Sequence, residues 1–585
     1  MILTKLKEYA DNRMKDDLPP PMYGKTNVAW FISLSPEGNY EGLVPLKTKE
    51  AKRGIAVVTP HIGRTVGVKP KLLADTGEYV LGVGRPTSKP ERVADCHEQF
   101  KQLIQACAKA TEEPTVKAIV RFLTTSEFDK AKVDLPKDFD PGDVVTFRVG
   151  DVVPADTGYK LQAVEAFWAS YTSGESEEEN NSNPVMTCLI TGEEGIVEKR
   201  LPFLVKGLIG GQPSGTALVS ANSPPFMSYG LQNSLTSPVS RDAAERFTKA
   251  LNSLIADEQS RLYIGSTVYT FWTREETGFN PLALLNQPKL EEVENLLKSP
   301  FTAQQASSLD ESKVNQFYAL ALTANNARAV VRDWLETTIS NVQTNLQQWF
   351  QHQQIVDPYG AAPRFFSVYA LAASVYRDAS KEMQPTAPTT LIRNALHGDR
   401  IPEELLIKLV RRNRTEQEVT YPRTVLLKLI FSSHPTRKDM MTNMEQLNPN
   451  PNLEGNDLAA YSCGRLLAVL ESIQRSAIGS VNASLTDRYY GTASSTPAVA
   501  FPPLLRGARA HFSKLRKTMP GTCRALEERV EEIMAPDRLP TFPKTLNLQQ
   551  QGLFGLGYYH QRANDRATAK AKAEANKAAQ VSASA

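Results

Sequence analysis

The sequence predicts an α+β protein, with mixed N-terminal and central regions followed by a C-terminal helical bundle. The first half holds many short β-branched or aromatic runs, each with Gly, Pro, Asn or Asp nearby. From about residue 310 the apolar residues recur at steps of three and four, the period of a helix. A chain of 585 residues also exceeds what one hydrophobic core supports, so about three domains are expected.

In chain order, Val28–Leu34, Ile55–Val58, Glu78–Val83, Val144–Val149, Val185–Ile190 and Thr267–Trp272 read as strands. Val93–Ala110 and Arg241–Ile255 read as helices. Ser173–Asn183 (SGESEEENNSN) has no apolar residue to bury and reads as an exposed loop. Val331, Leu335, Ile339, Val342, Leu346 and Trp349 follow steps of 4, 4, 3, 4 and 3, one apolar stripe along a long helix. Leu466, Leu470, Ile473 and Ala477 repeat the pattern, and both stripes read as core. Asn448–Asn456 (NPNPNLEGN) is linker-like, and Ala563–Ala585, rich in Ala and Lys, should be a disordered tail. The predicted divisions are 1–140, 141–440, 441–562 and 563–585.

Hydrophobic content of 41% and charged content of 22% are those of a globular protein. The N-terminus lacks a signal peptide's unbroken apolar run, and no stretch of about 18 apolar residues occurs, so a cytoplasmic protein without a membrane span is expected. Cys96, Cys107, Cys188, Cys463 and Cys523 form no Cys-x-x-Cys pair, and the seven histidines are scattered. Neither disulfides nor a metal site are expected. Net charge is +3, but residues 501–585 carry 14 Lys/Arg against 7 Asp/Glu, so the remainder is at −4. Such a basic end suits either a solvated surface or one that meets a polyanion.

Three clusters could carry function. Lys206–Asn222 (KGLIGGQPSGTALVSAN) offers Gly210, Gly211, Gln212, Ser214 and Gly215 as a loop that cradles a phosphate or approaches another subunit, or as a tight turn. Gly210 and Gly215 have P-loop spacing, but Thr216 stands where the lysine belongs. A phosphate- or nucleotide-dependent enzyme built on Gly207–Thr216 is therefore the lesser alternative. Near the N-terminus, Lys25, Asn27, Arg64, Lys69 and Lys71, with His61 among them, are types that read base edges and hold phosphates. Toward the C-terminus, Arg506, Arg509 and Arg516 share roughly one helical face, suited to a phosphate backbone. Arg488, Tyr489 and Tyr490 would add a cation and two rings that either stack on unpaired bases or pack the core. No paired-carboxylate, Cys/His or Ser/His/Asp arrangement emerges, so no catalytic residue, cofactor or metal is assigned.

Several segments, in order, resemble one family. They are MILTKLKEY at the start, VKPKLLADTGEYVLGV (68–83), CLITGEEG (188–195), GGQPSGTALVSANSPPFMSYG (210–230), SPVSRDAAERFTKALNSL (237–254), YGTASSTPAVAFPPLL (490–505) and LNLQQQGLFGLGYYHQR (546–562). Together they resemble the large subunit of the subtype I-C CRISPR Cascade complex, over nearly the whole chain. The resemblance implies a non-enzymatic protein that joins crRNA with backbone and crRNA-end subunits. Such a subunit recognises the protospacer-adjacent motif on double-stranded DNA, aids duplex opening and R-loop stabilisation, and helps recruit a separate helicase-nuclease. It assigns motif reading to the N-terminal region, hence to Lys25, Asn27, Arg64, Lys69 and Lys71, and implies that the subunit holds the displaced strand, for which the basic C-terminal cluster is the expected surface. It also implies small subunits made from the same reading frame, for which Met440, Met441 and Met444 offer starts.

Overall fold

The computed structural model describes residues 2–15, 18–64, 67–172, 184–298, 315–357, 359, 364–434, 453–479 and 482–583. The acidic loop Ser173–Asn183, the three methionines at 440, 441 and 444, and most of the Asn448–Asn456 linker lie outside the described residues. The fold is α+β, as the sequence predicts, with several small sheets and a helical C-terminal region. The chain forms two compact units: unit 1 is 1–207, 211–253 and 325–329, and unit 2 is 208–210, 254–324 and 330–585. The division expected at residue 140 falls inside unit 1.

Unit 1 begins with α1 (Ile2–Arg13) and then builds two sheets from one run of sequence. β1 (Tyr23–Val28) pairs antiparallel with β4 (Ile55–Pro60), while β2 (Trp30–Leu34) belongs to a four-stranded sheet of order β3-β2-β6-β5. There β3 is Tyr40–Pro45, β5 is Ala74–Thr76 and β6 is Val144–Val149. The single strand expected over Val28–Leu34 is thus broken at Ala29, whose amide donates to Val144 O at 2.9 Å. Helices α2 (Pro90–Thr111) and α3 (Pro114–Thr124) bury Phe100, Ile104, Ile119 and Phe122 in one core with Ile32 and Phe147. Beyond them come α4 (Gln162–Thr172), the hairpin of β7 (Val185–Thr187) and β8 (Glu194–Ile196), and α5 (Arg241–Ala256). The Trp168 indole donates to Met22 O at 2.9 Å, and the Met22 amide donates to Glu245 at 2.7 Å. These bonds tie α4 and α5 to the start of β1.

Glu78–Val83, expected as a strand, is instead a helical turn over Gly77–Val80. Tyr79, Val80 and Leu81 are all buried, so their apolar character is satisfied, but a run this short carries no decisive period. The Gly77 and Glu78 amides donate to Asp143 O and Pro141 O, which leaves β5 as the neighbour of β6.

Unit 2 contains most of a sheet of order β12-β11-β10-β9, with β9 Arg261–Ile264, β10 Thr267–Thr273, β11 Gln316–Asn325 and β12 Arg328–Thr338. The stripe expected as one helix from Val331 is divided: Val331 and Leu335 lie on β12, and the helix α6 (Ile339–Gln353) begins only after Thr338. The Thr338 hydroxyl accepts from the Asn341 amide at 3.2 Å, a side-chain N-cap that fixes the start. Then come α7 (Thr386–His397), α8 (Glu403–Glu416), α9 (Tyr421–Ser432), α10 (Gly455–Ile478), α11 (Leu485–Ala493), α12 (Pro497–Thr518), α13 (Pro520–Ile533) and α14 (Leu548–Ala583). One core runs unbroken from Phe271 and Phe317 of the sheet to Leu466 and Phe554 of the helices. The C-terminal bundle therefore shares its core with the central helices. α10 and α14 touch backbone to backbone: a Cβ on Gly464 would sit 2.0 Å from Phe554 O, and one on Gly557 2.2 Å from Tyr461 O. The tail expected to be disordered after Arg562 instead continues α14 to Ala583.

Candidate nucleic-acid interface

Two cationic places stand out, one in each unit. In unit 1 β1 buries its two end residues, Tyr23 and Val28, and leaves Lys25 and Asn27 exposed, opposite Val58 and Ala56 of β4. The chain leaving β4 then lays His61 against Phe203, with ring centroids 4.7 Å apart and Nε2 3.2 Å from Pro202 O. Burial pushes the His61 pKa down to about 3, and the nearby charges of Lys71, Lys206 and Lys249 push the same way. His61 is therefore a neutral plate walled by ammonium groups.

Those ammonium groups have different fates. Lys249 is committed: it donates to Pro19 O and Pro20 O at 3.1 Å and pairs with Glu245 at 2.5 Å. Lys71 is held below the ordinary lysine pKa chiefly by burial; Asp75 opposes the shift, and Arg64 and Lys206 add to it. Lys206 is lowered by desolvation as well, and its Nζ reaches Lys25 O at 3.4 Å. Its backbone is pinned, the Lys206 amide donating to Asn252 Oδ1 at 2.8 Å while Asn252 Nδ2 donates to Leu204 O at 3.0 Å.

Arg64, assigned to motif reading, is placed otherwise. Its guanidinium pairs with the fully buried Asp75, donates through Nε to Lys69 O at 2.6 Å and lies 4.1 Å over the Tyr79 ring. It braces the 67–75 segment. Of the five assigned residues, Lys71 lies by His61, the Lys25 carbonyl is reached by Lys206 Nζ, Asn27 is exposed further along β1 opposite Ala56, and Lys69 contributes its carbonyl to the brace. Lys206 was missed because its segment was read for its glycines rather than for the lysine that opens it.

The glycine-rich loop closes as a turn at its C-terminal end. Val205 and Thr216 bridge antiparallel, the Gly215 amide donates to Gln212 O at 2.9 Å, and the Ala217 amide donates to Ala327 O at 2.8 Å. The amides of Gly215, Thr216 and Ala217, spent inside the protein, are not free to bind an anion. Gly215 is required by shape, with φ of 113° and a site where a Cβ would lie 2.6 Å from Leu204 Cβ. Gln212 and Ser214 are exposed, Gly211 bridges to Asn326, and Gly210 belongs to unit 2.

In unit 2 a capping box of Ser484 and Asp487 starts α11 and sets its rotation. Arg488 and Tyr489 then face outward, while Tyr490 is buried edge-on to Phe554 at 5.6 Å and Tyr558 at 5.9 Å. Tyr490 is therefore a core residue and cannot stack on a base. Arg488 faces an open groove of about 830 Å³, whose opposite wall on α8 presents Arg411 and Arg414. Ile407 and Val410 form apolar lining, and Thr492, Ser495 and Gln551 add polar side chains. None of these three arginines has a carboxylate partner among the described residues, whereas the intervening Arg412 is paired with Glu416. On α12, Phe501, Leu504, Ala508 and Leu515 are buried, leaving Arg506 and Arg509 exposed; Arg516 is engaged with Glu527 at 2.5 Å.

Among the described residues no group of His, Cys, Asp and Glu is placed to hold a metal, and no helix is long and apolar enough to cross a membrane. Fold and sites define a large two-unit α+β protein with a cationic cluster in each unit. The family model for a CRISPR-associated protein, Cas_Csd1, matches residues 6–565. The chain belongs to this Csd1 family of CRISPR-associated proteins. No curated protein matches it significantly.

Proposed function

We propose that the chain is the non-catalytic large subunit of a cytoplasmic, crRNA-guided type I-C Cascade complex. In this reading it recognises the protospacer-adjacent motif on double-stranded DNA, aids duplex opening and stabilises the R-loop. Backbone and crRNA-end subunits, and small subunits from the same reading frame, complete the assembly, and a helicase-nuclease is recruited to it. Guide pairing reads the sequence, so the protein need only read a short motif and the shape of the backbone. The observation that carries this is the crowding of Lys71 and Lys206 around His61, at the end of a strand that leaves Lys25 and Asn27 exposed, with the Asp75 carboxylate already bound by Arg64. Positive charge held out of water without a matching anion favours an incoming phosphate.

The test is DNA binding by the assembled complex on duplexes with and without the correct motif. Asn27→Ala should lose about 1–3 kcal/mol on the correct motif alone. Lys206→Ala should weaken all duplexes evenly and lower the salt slope by about 0.9. If both variants bind both duplexes as the parent does, motif reading lies elsewhere.

A further inference from the structure

From Gly207 to Ser240 the sequence runs for 34 residues without one Asp, Glu, Lys or Arg, in a chain that is 22% charged. Ala221–Asn233, inside that run, folds as a closed loop in unit 1, its ends joined by the Asn233 amide donating to Ala221 O at 2.9 Å. The loop is seated on the 325–329 turn. Ala217 brackets that turn through bonds to Ala327 O and from the Ala329 amide, and Arg328 bonds Asn222 and lies 4.2 Å over the Phe226 ring. At the tip Ser228 and Leu231 bridge around Tyr229 and Gly230, with φ of 51° and 74°. Positive φ at both central positions is a type I′ turn, where Asn-Gly is the usual pair and a bulky ring is out of place. Tyr229 is 99% exposed and Phe226 52% exposed.

A solvated surface carries both signs of charge, and a surface for nucleic acid carries positive charge. The centre of a protein interface is the place that excludes charge and favours Tyr, Phe and Met. We infer that the uncharged 211–240 face, with Tyr229 at its summit and Phe226 beside it, docks another protein subunit of the assembly through an uncharged hollow. This rests on the proposal above that the chain works inside a multi-subunit complex, but it assigns a surface that proposal leaves open. The loop's closure and its seat on Arg328 keep the tip formed before the partner arrives, which limits the entropy lost on docking.

Tyr229→Glu and Tyr229→Lys in the full chain separate the possible occupants. Because the side chain touches solvent only, both variants should keep the parent's melting temperature. Affinity of the purified chain for the co-expressed remaining protein subunits, nuclease-treated, is then measured, together with binding of the chain to duplex DNA. A protein partner with an uncharged hollow predicts that both variants lose about tenfold or more in assembly, with DNA binding unchanged. Assembly equal to the parent's in either variant overturns the inference. So does a gain of DNA binding with Lys and a loss with Glu, the signature of a nucleic-acid face, or a free-chain dimer dissolved by both substitutions. A parent chain that joins none of the subunits overturns the complex itself and this inference with it, whereas normal parent assembly with unaffected variants overturns this inference alone.

Discussion

Around His61 the cations are lysines set into the protein, and burial lowers the pKa of Lys71 and Lys206. Beside Arg488 they are arginines on the walls of an open groove, without carboxylate partners among the described residues. A desolvated lysine gains most from an anion brought directly against it, since that anion restores the environment its charge lacks. An exposed arginine holds its proton at any working pH and attracts phosphates through water, with little demand on position. The first arrangement suits one well-placed contact, and the second suits a backbone that passes over it. The two differ also in what holds them: the lysine cluster depends on the Arg64–Asp75 brace, while the groove depends on helices packed in the large core of unit 2.

The largest effect should come from breaking that brace. Arg64→Ala leaves the Asp75 carboxylate buried without its guanidinium, and losing one partner of a buried pair costs about 3–5 kcal/mol. Urea unfolding followed by a unit 1 probe such as Trp168 reads the loss. Unchanged stability with a selective loss of motif binding would make Arg64 a reader after all and dissolve the distinction between brace and cluster.

Next in size is the groove. Replacing Arg411, Arg414 and Arg488 together by Ala should lower the salt slope for single-stranded DNA by about 2, at roughly 0.7 per phosphate contact, whatever the sequence. Stability should hardly move, because no ion pair is broken. A sequence-dependent loss would mean that the groove reads bases and is not the tolerant partner in the comparison.

The finest distinction is pH. A lysine whose pKa is lowered sheds its proton before an ordinary one as pH rises, so the unit 1 contribution should decline across the alkaline range while the arginine contribution persists. In the triple-arginine variant, DNA affinity should therefore fall as pH rises, at a lower pH than an ordinary lysine would set, and Lys71→Arg should flatten that fall. An equal pH response with and without Lys71→Arg would show that Lys71 stays charged and that burial does not set its behaviour.

Where one face of an element is buried and long enough to show its period, the sequence was sufficient. The helices read at Val93–Ala110 and Arg241–Ile255 and the strand at Val144–Val149 appear close to their expected bounds, and the Leu466–Ala477 stripe lies buried within the longer helix α10. The six residues Glu78–Val83 and the Val331–Leu335 pair depart from expectation because so short a run, or a spacing of four, fits helix and strand alike. The tail after Arg562 shows a further limit: it has no large apolar side chain, yet Ala563 is buried, Asp565 pairs with Arg529, and a continuous α14 carries the chain onward, since extending a formed helix costs no new nucleus.

Charge, composition and motif order thus determined by themselves the α+β class, the family and the two stretches where cations gather, because these are properties of residue type and local period. Which cations remain available was decided only by the tertiary structure. Arg64 and Arg516 found carboxylates, Tyr490 entered the core, and Lys206, Arg411 and Arg414 joined the sites from elsewhere in the chain. Whether a charge is spent on a carboxylate, lowered by burial or left open depends on neighbours that are distant in sequence, and no local pattern encodes a partner more than 70 residues away, as Arg488 is from Arg414.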